Sequence, residues 1–162
     1  MNPAHAPNSA QKPNALKAIV WAGSICGVMD ITAAFVVYGH YGAQPIPLLK
    51  GIASGLLGAS AQNGGPAVAA LGVLCHFVIA FSAATVFYVA SRWMRFLTAH
   101  AVISGIIYGP VVYFFMQYVV LPLSAIGRNP FSLKFMVIGV VIHIFCVGLP
   151  ISLAVRRFSN NV

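Results

Sequence analysis

Acidic residues are nearly missing from this chain: Asp30 is the single Asp or Glu among 162 residues. One carboxylate cannot form a pair, which excludes the paired-carboxylate chemistry of glycosidases. Charge of either sign is scarce, at 6% of residues, where a soluble domain carries about 25%. So few charged groups cannot cover the surface of a soluble globule of this size. Cysteine is sparse as well. Cys26, Cys75 and Cys146 show no CxxC or CxxH spacing, so no structural zinc site is indicated. All three lie in apolar runs, where buried, inert thiols are expected.

What the chain has in quantity is apolar surface. Hydrophobic residues make up 60% of it and the mean hydropathy is +0.91. These side chains must face something other than water, and lipid is the natural solvent for them. The nine Lys and Arg give a net charge of +8. A basic balance can mark a nucleic-acid binder. Here the basic residues come singly or in pairs at the ends of apolar stretches, the membrane-protein pattern, so no nucleic-acid partner is expected.

A helix needs about 20 apolar residues to cross a bilayer core. Four stretches qualify: about Leu16 to Tyr38, Ala67 to Val89, Ala99 to Leu121, and Leu133 to Val155. The fold class is therefore all-α, an integral membrane four-helix bundle. Residues 1–15 hold three prolines and no apolar periodicity, and read as a disordered tail. Residues 16–157 form the single four-span domain, and residues 158–162 a short second tail. Gln44-Pro45-Ile46-Pro47, Asn63-Gly64-Gly65-Pro66 and Gly127-Arg128-Asn129-Pro130 break the chain between spans. Ser132 stands where it can cap the fourth helix. Leu48 to Ser60 is apolar but too short to span, which fits an interfacial or re-entrant helix. Its Gly51, Gly55 and Gly58 point to close packing on another helix. The first apolar run carries its small residues, Thr32-Ala33-Ala34, inside it and not beyond it, so a retained helix is expected over a cleaved signal peptide.

With the N-terminus in the cytoplasm, the inner segments hold Lys12, Lys17, Arg92, Arg95, Arg156 and Arg157. The outer loops then hold Lys50, Arg128 and Lys134. Six against three favours cytoplasmic N- and C-termini. Tyr38, Tyr41, Trp93 and Tyr118 fall near span ends, as an aromatic belt requires, and Trp21 lies deeper, as a core residue would. His100 reads as an interfacial histidine.

Three ionisable residues remain deep in the spans: Asp30, His76 and His143. An Asp near the centre of a membrane helix costs about 2.5 to 3.5 kcal/mol, so it normally faces the bundle interior and has a partner. Asp30 lies 13 residues from Lys17, His76 lies 16 from Arg92, and His143 lies 13 from Arg156. At 1.5 Å per residue all three fall in one layer, within about 5 Å in depth. Their helix faces carry small residues: Gly23 and Gly27 with Asp30, Gly72 with His76, and Gly139 with His143. Gly105 and Gly109 form a further small-residue pair. Such residues let membrane helices approach closely. Gly109-Pro110 and Gly148-Leu149-Pro150 are expected kinks.

Four readings fit this layer. The one preferred from sequence is structural, with Asp30 accepting a hydrogen bond from a histidine and fixing which helices meet. The alternative is a small transporter or proton-coupled pathway through Asp30, His76 and His143. Against it, four short helices offer little room for alternating access unless the protein forms a homo-oligomer, and no inverted repeat is visible. A third reading is a haem or divalent metal held by His76 and His143, with or without Asp30. The fourth is an intramembrane enzyme. Ser24, Ser82, Thr85 and Ser104 are present, but none stands in a nucleophile motif, so the chain leans away from catalysis.

Leu74-Cys75-His76-Phe77, Ser104-Gly105-Ile106-Ile107-Tyr108-Gly109-Pro110 and a last span with His143 ending in Arg156-Arg157 together resemble small bacterial inner-membrane proteins of the YagU type. The resemblance covers roughly residues 66–157. It implies a bacterial plasma membrane location and carries no established chemistry.

Overall fold

The computed structural model describes residues 14–127 and 131–158. Most of the expected N-terminal tail, the Arg128-Asn129-Pro130 part of the last turn and residues 159–162 lie outside that range. The fold is an all-α four-helix membrane bundle. Four helices are long and apolar enough to cross a bilayer: α1 (Ala15–His40), α3 (Pro66–Trp93), α5 (Ala101–Leu123) and α6 (Leu133–Phe158). A shorter apolar helix, α2 (Pro45–Leu57), follows α1, and a single turn, α4 (Phe96–Ala99), joins α3 to α5. At 1.5 Å per residue the 26 residues of α1 reach roughly 39 Å, enough for a hydrocarbon core of about 30 Å.

The helix ends follow local chemistry. Asn14 caps α1, its side-chain oxygen accepting from the Lys17 N–H at 3.1 Å. Pro45 and Pro66 open α2 and α3, where their missing N–H costs no helical bond. Gly58 ends α2 at φ 72°, a conformation that favours glycine. Arg92, Arg156 and Arg157 sit in the last turns of α3 and α6, at the negative ends of those helices. Ser132 does occupy the position before α6, but its side chain makes no capping bond. Only its backbone oxygen accepts, from the Met136 N–H.

Lipid gives helices no hydrophobic reason to associate, so packing must come from close contact. The core of the bundle is accordingly small and tight: Ala18, Ala22 and Cys26 of α1, Ala80, Ala84 and Phe87 of α3, and Val147, Ile151 and Val155 of α6. Larger apolar side chains such as Val36, Leu74, Val86, Ile107 and Phe145 are exposed and form the lipid face. Trp21 belongs there too, at 52% exposure. The sequence had placed it in the core. It stacks on Phe158 with ring centroids 6.2 Å apart, while Tyr38 and Tyr41 meet Phe135 at the other end of α1. Aromatic contacts thus clasp α1 to α6 at both ends.

Glycines set the closest approaches. Gly23 and Gly27 of α1 receive the rings of Phe81 and Phe77 of α3. Gly105 and Gly109 of α5 lie directly on the backbone of α6, at Gly148 and His143. Gly139 lies under the ring of Tyr113, and Gly72 of α3 lies against the main-chain carbonyl of Leu49 in α2. That last contact is how α2 docks. The nearest side-chain neighbour of a Cβ at Gly51 or Gly55 would be 3.6 or 3.8 Å away, so those glycines are not the tight points. The Ala125 N–H also bonds the Gly55 oxygen at 2.9 Å, tying α2 to the end of α5.

Two of the spans contain a wide π-type turn, at Met116–Val120 in α5 and His143–Gly148 in α6. Each ends two residues before a proline, Pro122 and Pro150. A proline removes one helical N–H and crowds the carbonyl four residues back, and the wider turn absorbs that misfit. The regular helix of α5 runs through Pro110, so the irregularity of this span lies beyond the expected Gly109-Pro110 position.

Candidate functional site

Between the four spans lies a cavity of about 300 Å³. Asp30 of α1, His76 of α3 and His143 of α6 all line it. The other polar or aromatic groups in its wall are Tyr38, Tyr113 and Gln117, and Leu48 and Ile52 of α2 contribute apolar surface. The wall runs from Cys26 and Val147, near the middle of α1 and α6, to Tyr38 and Leu121, near the ends of α1 and α5 that adjoin α2. The cavity therefore occupies the half of the bundle next to α2. In the other half, α5 and α6 are in direct backbone contact at Gly105 and Gly148.

Each histidine is held by a backbone carbonyl. His76 Nε2–H donates to the Gly27 oxygen at 2.9 Å, across the α1–α3 contact. This reach is short because Gly27 has no Cβ and admits the Phe77 ring beside it. His143 Nδ1–H donates to the Gly139 oxygen at 2.9 Å, one turn back in its own helix. The Tyr113 ring meets His143 edge-on, with centroids 5.2 Å apart. Tyr113 thus fills the notch at Gly139 and orients the imidazole beside it.

The Asp30–histidine bond expected from sequence is not formed. Both bonded imidazole N–H groups go to backbone oxygens, and among the described residues no hydrogen bond or ion pair reaches Asp30. Asp30 is half-buried and lines the cavity. Its carboxylate is not among the enclosed side-chain atoms that lack a partner, a state found for the Ser104 hydroxyl among the described residues. Nor do the three residues close into a ligand set: among the described residues, no group of three His, Cys, Asp or Glu side chains is arranged to hold a metal ion.

Other residues fall outside this site. Ser82 and Thr85 bond the carbonyls of Val78 and Phe81, one turn back in their own helix. His100 is exposed and stacks on Phe96. Gln117 went unnoticed in the sequence, although it is the one Asn or Gln within the four spans. Tyr38 read as belt and Tyr113 was not singled out, because an aromatic in a span carries no mark of the side it faces. Comparison of the chain with protein-family models, with curated proteins and with solved structures finds no match.

Proposed function

We propose that this multi-pass membrane protein is a small proton-coupled transporter, and that the cavity is its solute site. One observation carries the reading. The only acidic side chain of the chain lines a cavity beside two histidines, and among the described residues no hydrogen bond or ion pair engages it. Placing an Asp near mid-membrane costs about 2.5 to 3.5 kcal/mol. A structural role would offset part of that through a hydrogen bond to Asp30, and none is found among the described residues. A transport role keeps the carboxylate open for a proton or a solute.

The surrounding architecture supports the same reading. His143 begins the wide turn of α6, so a change at the cavity wall acts directly on an irregular segment of the helix. The excess of Lys and Arg supports an orientation with the α2 end outside and both termini in the cytoplasm. The cavity then faces outward.

Proteoliposomes loaded with a pH-sensitive dye test this proposal. Under an imposed potential, wild-type protein should acidify or alkalinise the lumen faster than empty vesicles. Asp30→Asn should fold with wild-type thermal stability and lose that flux. A stable Asp30→Asn protein with full flux would remove Asp30 from any pathway.

A further inference from the structure

We infer that the cavity binds a small organic cation, a protonated amine with an apolar body. This deepens the transport reading and rests on the cavity being a solute site. The argument starts from which hydrogen-bonding groups are already used. A carbonyl oxygen only accepts, so His76 must carry its proton on Nε2 and His143 on Nδ1. In the neutral imidazoles, His76 Nδ1 and His143 Nε2 are then lone-pair acceptors. No protein hydrogen bond to either is found among the described residues. The Asp30 carboxyl adds further acceptor oxygens, and in its ionised form a negative charge. No Lys or Arg is found among the described lining residues, so nothing in the wall offers a positive partner to an anion.

The hydroxyls of Tyr38 and Tyr113 and the amide of Gln117 can donate as well as accept, so the selective element is the carboxylate of Asp30 flanked by two imidazole acceptors, which favours a cationic donor. A protonated amine is one, and brings a positive charge to Asp30. The rest of the wall fixes the ligand's body. Ile52, Ile79 and Val112 are apolar, and Tyr38 and Tyr113 offer aromatic surface that also favours a cation. At about 300 Å³ the cavity is at the small end of ligand pockets, which suits a single ring or a short branched chain.

The test is equilibrium dialysis of radiolabelled benzylamine against the purified full-length protein in mild detergent near neutral pH. Saturable binding close to one per chain is expected. Unlabelled benzylamine should displace it, and benzyl alcohol and benzoate, which share the ring but not the cationic donor, should not. Asp30→Asn should weaken binding by about tenfold or more, and Asp30→Glu should retain it. Equal displacement by the alcohol or the acid would overturn the inference on wild-type protein alone, whether or not the variants fold. Absence of saturable amine binding would overturn it as well. Proton flux without amine binding would sink the cation and leave the pathway standing. Amine binding without proton flux would do the reverse.

Discussion

His76 on α3 donates its Nε2–H to the main-chain oxygen of Gly27 on α1 at 2.9 Å. The bond joins two spans and ends on a carbonyl, so it needs no particular side chain on α1. Polar contacts between membrane helices are worth about 0.6 kcal/mol on average and about 1.7 at most. His76→Ala should therefore lower the thermal stability of the detergent-solubilised protein by an amount in that range. Asp30→Asn, which breaks no hydrogen bond or ion pair found among the described residues, should move it by less than about 0.5 kcal/mol. A double-mutant cycle should give additive effects. Coupling of 1 kcal/mol or more would show that Asp30 and His76 bond to each other after all.

The glycines divide into tight and open positions, and substitution should separate them. A Cβ at Gly109 would run into the backbone of His143 and Ile144, which cannot swing aside. Gly109→Ala should cost about 1 to 3 kcal/mol or prevent assembly. The open position Gly51 has its nearest side-chain neighbour 3.6 Å from a new Cβ. Gly51→Ala should be neutral or stabilise by up to about 1 kcal/mol, since alanine is the better helix former. Thermal melts in one detergent compare the two directly.

Tyr108 of α5 provides a third link between spans, its hydroxyl donating to the Ala83 oxygen of α3 at 2.8 Å. The ring also packs edge-on against Phe87, with centroids 5.0 Å apart. Tyr108→Phe keeps the ring and removes the bond. It should cost about 0.5 to 1.5 kcal/mol, and Tyr108→Ala clearly more. Equal losses in the two variants would mean that the hydroxyl contributes and the ring does not.

The spans were legible because lipid imposes a length and a composition that few other environments demand. The shared depth of Asp30, His76 and His143 was legible because helical rise converts residue number into height, and all three do line one cavity. Their bonding was not legible. Both histidines are satisfied by backbone carbonyls, and a carbonyl is present at every residue. The docking of α2 was hidden for a related reason. Gly51 and Gly55 looked like its contact face, but the tight point is Gly72 on another helix, pressed against the main chain of Leu49. Which side of α2 meets α3 is decided by the notch on α3. The wide turns before Pro122 and Pro150 depend on how a helix distributes the misfit of a proline, which sequence alone does not reveal.

Sidedness decides which compartment the cavity serves, and it can be read with single cysteines. Ser60 is exposed beyond the end of α2, and Met94 is exposed at the corner after α3, at the opposite end of the bundle. The native Cys26, Cys75 and Cys146 all lie within the spans, and Cys26 is only 2% exposed. In a background with all three replaced by alanine, Ser60→Cys should react with a membrane-impermeant maleimide on intact cells. Met94→Cys should react only after permeabilisation. The excess of Lys and Arg on the Met94 side favours this order, since those residues resist translocation. The reverse pattern would turn the bundle over and give the cavity to the cytoplasmic side.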